Sequence, residues 1–341
     1  MFAAIAAWEV SMIRRSVFVT LTCVALLFSQ LLAAVALAAE VQTLRGVHNA
    51  LGGTMTPVYV AQDLGLFAKH GLEHSLQYIA ATTAVQALAA GSEEIGLVGN
   101  QCVDMGLEGA DTMYVASTAS RFIFQLYGAP SIKSVADLKG QAVAARQPAA
   151  STDYAMRLLL RRYNLVPDKD VKIVYAGSGP AILSLLKSGN AVAALINAPV
   201  IYQAQDIGMK KIVSVTELNI PFIFVAVCTT RKVIQQKPEA ITRYLRAYTD
   251  AISIIFRDKE TTLKIMGKQM KMENRQWVEA VYDDVVGVLQ RAPYMTKAEV
   301  QAVLDVVKSP KGVGAKPEVF YDNSFVQKLD ASGFIKSLYE R

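Results

Sequence analysis

Residues Val41 to Ile79 read VQTLRGVHNALGGTMTPVYVAQDLGLFAKHGLEHSLQYI. Val41–His48 and Leu72–Ile79 are short runs with strand character, and the stretch near 56–68 between them has apolar residues at helical spacing. Strand, helix, strand over about forty residues is one βαβ unit, which needs a crossover helix packed on a parallel pair. The same alternation continues downstream. Strand-like runs recur at Ile95–Val98, Met113–Ser117, Phe122–Tyr127, Ala142–Ala145, Val171–Tyr175, Ala191–Ile196, Lys211–Val215 and Pro221–Cys228. Helical stretches fall between them near 83–90, 101–108, 151–163, 179–188 and 198–207. The expected fold class is α/β, with two lobes, each a mostly parallel sheet flanked by helices.

After Cys228 the pattern turns purely helical. Pro238 suits a first helical position, and Ile241, Leu245, Tyr248, Ile252 and Ile255 mark one face at 3–4-residue spacing. Further helices are expected near 258–271, 274–290, 297–308 and 324–331, the third opened by a Thr296/Glu299 capping box. The segments 121–127 and 219–227 read as crossings between lobes. Residues 39–120 and 228–341 then form one lobe, and 128–218 the other.

The chain of 341 residues carries 35 Lys+Arg against 29 Asp+Glu, with a mean hydropathy of +0.28. Much of that hydropathy lies at the N-terminus. Arg14 and Arg15 precede an uncharged stretch, Ser16 to Ala39, that ends in Ala36-Leu37-Ala38. A basic region, an apolar core and an A-x-A end describe a signal peptide, residues 1–38, cleaved near Ala38-Ala39. An uncleaved anchor has the length too, and Met12 is an alternative start. Removing residues 1–38 takes away Arg14, Arg15 and Glu9 and leaves a charge of +5. The expectation is an exported, periplasmic protein. Cys102 and Cys228, 126 residues apart, carry no spacing signal, so two buried thiols are the default.

Four blocks resemble the solute-binding proteins of the nitrate, sulfonate, taurine and thiamine-precursor importer family. Thr56–Glu73 is similar to its first helix, with Gly65, Phe67, Gly71 and Leu72 in the characteristic places. Ala84–Gly99 resembles its helix-Gly-acid-Ile-Gly step, Ile132–Gly140 (IKSVADLKG) its lead-in to the second lobe, and Leu183–Ala198 the matching step there. Asn190-Ala191 departs from that step, where an acid is usual, and His48–Thr54 (HNALGGT) matches no particular subfamily. The resemblance implies a type 2 periplasmic-binding-protein fold and capture of a small polar or anionic solute (sulfonate, nitrate, carboxylate) in an interlobe cleft. It also implies permease and ATPase partners. A pyrimidine thiamine precursor is the alternative solute, and an enzyme or a sensor subunit on the same fold are alternative roles. A monomer is expected.

Ligands of open α/β sheets sit beyond the carboxyl ends of strands, at helix N-termini, where unpaired N–H groups favour polar or anionic groups. Those positions here are Asn49, Gly53 and Thr54; Thr82 and Thr83; Asn100 and Gln101; Arg146, Ser151 and Thr152; Ser178; and Asn197. For each, turn and capping chemistry is the competing explanation. Arg146 is neither cap nor turn former; it either grips an anion in bidentate fashion or pairs with an acid such as Asp153. Phe122, Phe124 and Tyr127 along a crossing segment read as core before they read as ring contacts.

The three histidines, His48, His70 and His74, have no Cys or carboxylate cluster beside them, so no metal is expected. No G-x-S-x-G elbow, P-loop or G-x-G-x-x-G follows a strand, so neither catalysis nor a cofactor is expected. A pI of 9.0 comes from basic residues dispersed among acids on helices, which argues against nucleic acid.

Overall fold

The computed structural model describes residues 41–79, 81–307 and 309–340. The expected signal peptide and its cleavage site lie outside the described residues.

Among the described residues ten strands form two five-stranded sheets. They are β1 (Gln42–His48), β2 (Leu72–Tyr78), β3 (Ile95–Val98), β4 (Thr112–Arg121), β5 (Gln125–Gly128), β6 (Ala142–Ala145), β7 (Lys172–Tyr175), β8 (Ala193–Ile196), β9 (Lys210–Ser214) and β10 (Pro221–Thr230). The first sheet is ordered β2-β1-β3-β10-β4 and the second β7-β6-β8-β5-β9. In each, a parallel trio is followed by two antiparallel pairings: β10 runs against β3 and β4, and β5 against β8 and β9. The same order therefore occurs twice, and the antiparallel strand of each sheet is the one by which the chain arrives from the other.

Why these strands form is visible in their burial. β3 (IGLV) and β8 (AALI) are buried along their whole length, as central strands covered by helices on both faces must be. β4 runs on to Arg121, residues 122–124 lie in no strand although Phe124 O accepts from Val215 N at 2.9 Å, and Gln125–Gly128 forms the next strand. The expected strand Phe122–Tyr127 is thus divided. Its first half spans the passage from one sheet to the next, and only Phe124 is met by a backbone donor, from Val215 just past β9. Phe122 stacks on Phe222 at 4.2 Å, 26° from coplanar, and both are buried. Those aromatics are core.

The helical region packs as its periodicity requires. Ile241, Leu245, Tyr248, Ile252 and Ile255 on Pro238–Arg257 are all fully buried against the helix Thr56–Asp63 and the first sheet. Thr296 and Glu299 form the capping box, with Glu299 Oε2 accepting from Thr296 N at 2.8 Å. The short helix Arg231–Gln236 has no strong periodic signal; it starts where Thr230 Oγ1 accepts from Val233 N.

One expectation is overturned. Cys102 and Cys228 are disulfide-bonded, with sulfurs 2.17 Å and Cα atoms 6.7 Å apart. β10 returns to lie between β3 and β4, which sets Cys228 beside the helix Gln101–Leu107 that follows β3. Sequence separation carries no trace of that return.

Candidate functional site

The carboxyl ends of the parallel strands carry the expected site residues, in different circumstances. After β1, Asn49 is half-buried and its N–H donates to Leu97 O at 3.2 Å. His48 precedes it with Nδ1 2.8 Å from Ala50 O, its ring against Tyr59 and Tyr78 at 5.5 and 5.6 Å. Burial lowers the His48 pKa, although the Ala50 carbonyl opposes this. Gly53 and Thr54 are buried. A Cβ on Gly53 would lie 2.3 Å from Val281 Cγ1 and 2.8 Å from Val285 Cγ2, so glycine lets the helix Arg275–Val286 close on this turn.

After β2, Thr82 is placed by its backbone in the helix Ala81–Ala90, and Thr83 is exposed. After β3, Asn100 is fully buried and Gln101 is 9% exposed. Asn100 Nδ2 donates to Asp104 Oδ2 at 3.0 Å, one turn along the helix Gln101–Leu107. Burial pushes the Asp104 carboxyl up to about 6, with the Asn100 hydrogen bond opposing.

In the second sheet, Arg146 follows β6 and is exposed. Its N–H donates to Thr152 Oγ1 at 3.0 Å, and its carbonyl accepts from Gly177 N at 2.6 Å, which ties the turns after β6 and β7 together. Thr152 is buried and Ser151, the first residue of the helix Ser151–Arg162, is half-buried. The guanidinium of Arg146 has no ion-pair partner among the described residues. Asp153 is not its partner: it receives Arg157 Nε at 2.8 Å, Tyr175 Oη at 3.0 Å and Ala149 N at 2.9 Å. Ser178 is exposed and caps the helix Gly179–Lys187, its Oγ accepting from Ala181 N. Asn197 is half-buried and precedes the cis Ala198-Pro199 bond.

The turn after β8 also meets the helical region. The Asp284 carboxylate accepts from Ala198 N–H, and burial pushes that carboxyl up to about 6. Tyr202 stacks on Trp277, and Ala198 packs into the core of the first sheet. Asp104, Asp284, Tyr202 and Trp277 carry no signal in the sequence beyond Asp104 standing four residues from Asn100. Arg121, the last residue of β4 before the passage, donates to Asn219 Oδ1 and to Gly287 O at 2.7 Å, so it joins both passages to the helical region.

His70 lies 3.1 Å from Asp250 Oδ2, and His74 packs between Phe67 and Tyr244, so the two do not converge. Among the described residues no group of three or more His, Cys, Asp or Glu is placed to hold a metal ion. No helix of the described residues is long and apolar enough to cross a membrane. One surface depression is lined by Arg157 and Arg161 and another by Glu260 and Arg275.

Residues 53–262 match the NMT1/THI5-like family. Among solved structures, the chain resembles the periplasmic aliphatic sulphonate binding protein SsuA of Escherichia coli (TM-score 0.64, 18% identity, 88% of this chain and 89% of that one). It also resembles the alkanesulfonate-binding protein SsuA of Xanthomonas axonopodis pv. citri bound to MOPS (0.63, 18%, 79% and 92%). A third is the periplasmic nitrate-binding protein NrtA of Synechocystis PCC 6803 (0.63, 13%, 86% and 89%). No curated protein sequence matches it. With well over half its length covered by that one match, the chain belongs to the NMT1/THI5-like family.

Proposed function

We propose that the chain is the extracytoplasmic solute-binding protein of an ABC-type importer, taking a small polar or anionic solute between its two sheets. The observation that carries this reading is the repeated sheet order, each sheet turning polar or small residues outward at the carboxyl ends of its parallel strands. The structural relatives named for sulfonate and nitrate binding support it. Residues 39–120 with 228–341 form one lobe and 128–218 the other, and the chain bends at 121–127 and 219–227. Binding is the role that the hydrogen-bonding turns at these strand ends support. The protein works in the periplasm, delivered there by its signal peptide, and hands solute to a permease driven by an ATPase.

A solute touching both lobes stabilises the closed arrangement by its differential contacts, so affinity is linked to closure. Arg146 is assigned to an anionic group, being exposed and without an ion pair among the described residues. The experiment is a thermal-shift screen of refolded protein against nitrate, alkyl and aromatic sulfonates, carboxylates and aminopyrimidines, followed by small-angle scattering with each hit. A stabilising solute that also compacts the protein is the expected result. Folded protein that takes solute with no compaction would end the closure reading, and conversion of a bound solute to product would end the binding-protein reading.

A further inference from the structure

Charge is divided unevenly along the chain. Residues 128–218 carry eleven Lys and Arg against six Asp and Glu, whereas 39–127 and 219–341 together carry 22 of each. The whole surplus of +5 left after residues 1–38 therefore belongs to the segment that builds most of the second sheet. Within it the cations gather further. β6, β7 and β8 run parallel, so their starts lie at one end of the sheet. Their entries are tied together there: Lys172 N donates to Gln141 O at 2.9 Å, Gly140 N to Asp170 O at 2.7 Å and Val192 N to Ala142 O at 2.8 Å. Residues 129–141, 161–172 and 187–192, which lead into these strands, hold seven Lys and Arg and three acids.

All seven cations are exposed and without an ion-pair partner among the described residues. Lys139, Arg161, Arg162, Lys169 and Lys172 surround the starts of β6 and β7, and Lys187 ends the helix before β8. Of the acids, Asp168 is taken by Arg157 at 2.7 Å, while Asp137 and Asp170 accept backbone N–H groups of their own turns. Tyr163, 40% exposed, and Val166, 50% exposed, stand in the same stretch, and Val166 lines a surface depression with Arg161 and Asn164. Cations with an aromatic and an aliphatic side chain between them suit a boundary between water and apolar matter, because their stems lie along apolar surface while their heads stay hydrated. The turns with Arg146, Ser178 and Asn197 stand at the opposite, carboxyl ends of these strands.

We propose that the amino-end face of the second sheet docks on an anionic lipid bilayer. Charge complementarity favours that occupant: seven cations on flexible stems, spread over the entries to three strands, match a continuous layer of phosphates better than the fixed acids of one protein. Each Lys or Arg held near such a surface strengthens adsorption roughly fivefold, and the attraction fades over about one Debye length. The solute-binding reading supplies one element only, a membrane close by, since an importer's permease sits in one. Adsorption by this end leaves the opposite strand ends open to solution, so the docked protein still collects solute.

The test is flotation of the exported protein with vesicles of phosphatidylcholine alone and with phosphatidylglycerol added. Partition onto the anionic vesicles is expected to exceed that onto the zwitterionic ones at least tenfold at low salt. It should vanish near 0.5 M salt, where the Debye length is about 4 Å. Arg161→Gln, Arg162→Gln, Lys169→Gln and Lys172→Gln combined should lower it at least tenfold with an unchanged melting temperature. Lys232→Gln, Lys264→Gln, Lys316→Gln and Lys328→Gln combined remove the same charge from residues 228–341 and should leave it within about twofold. Should the first combination fail to fold, Lys169→Glu with Lys187→Glu replaces it, with the same loss expected. Equal partition onto both vesicle types, indifference to salt, or equal loss in both combinations would each overturn the proposal. Binding of soluble polyglutamate with none of vesicles would overturn it in favour of an acidic protein. None of these outcomes touches the thermal-shift screen for solute, on which the importer reading stands or falls separately.

Discussion

Tyr202 and Trp277 lie with their rings 3° from parallel and their centroids 5.7 Å apart, one on the helix after β8 and the other on the helix Arg275–Val286. They join the second sheet's last crossover helix to the helical region packed on the first sheet. The sequence has two tryptophans, Trp8 and Trp277, and Trp8 falls in the expected signal peptide. Intrinsic fluorescence of the exported protein thus reports one ring, at the lobe junction. Adding solute should change Trp277 emission, and Tyr202→Ala should abolish that change. An aromatic pair contributes about 0.5–1.5 kcal/mol, so affinity should weaken by roughly 2- to 13-fold. Emission that ignores a bound solute would separate this stack from closure.

The Cys102–Cys228 bridge closes a loop around the whole of the second sheet's insertion. A cross-link over that span restricts the unfolded chain strongly, and its loss costs about 2–4 kcal/mol. Reduction should lower the melting temperature by several degrees and leave the circular dichroism of the folded state unchanged. The exported protein should show no thiol accessible to alkylation in denaturant before reduction, and two after it.

His74 should make the fold acid-sensitive. Both ring nitrogens are buried without partners, and burial lowers its pKa to about 4 from 6.5. The unfolded chain takes the proton first, so this stability is fully present above pH 6.5 and is lost as pH falls towards 4, by up to about 3 kcal/mol. Asp104 and Asp284, raised to about 6, act in the opposite sense, since the folded state holds their protons longer and gains stability as pH falls from 6 towards 3.8. The informative quantity is the difference between wild type and His74→Leu, measured by urea unfolding at pH 7 and pH 4.5. His74→Leu should lose less stability over that interval, by about 2–3 kcal/mol.

Arg157 holds the loop that carries Arg146. Its guanidinium reaches buried Asp153 at 2.8 Å, Asp168 at 2.7 Å and Tyr175 Oη at 3.1 Å, and Asp153 in turn accepts from Ala149 N. Arg157→Met strands a carboxylate that is 1% exposed. A loss of about 3–5 kcal/mol is expected from chemical denaturation. Arg157→Met paired with Asp153→Asn should recover much of it.

Arg146→Ala should behave differently. The side chain is exposed and makes no ion pair among the described residues, so the melting temperature should hold within a degree or so. Affinity for an anionic solute should fall by about 2–4 kcal/mol if the group is desolvated on closure. Calorimetry showing unchanged affinity would take Arg146 out of the site.

Strand and helix positions were legible over most of the chain from Val41 to Cys228 and again from Pro238, but not at Arg231–Gln236, because burial on both faces imposes β-branched or small runs such as Ile95–Val98 and Ala193–Ile196, while one-sided burial imposes the stripe from Ile241 to Ile255. Capping at Ser178 and Thr296 was legible too, since a cap oxygen and the N–H that donates to it are three residues apart. What depends on contacts between distant segments was not. The fit of Gly53 against Val281, the Cys102–Cys228 bridge and the Asp284–Ala198 contact exist because β10 returns to the first sheet and the last helices fold over its turns. The sequence alone determined the elements and the kind of residue at each strand end. Tertiary structure decided which polar atoms were left without partners, because hydrogen-bond satisfaction depends on every neighbour that packing brings near, and Asn100 Oδ1, Gln101 Oε1 and Asp104 Oδ1 were left with none.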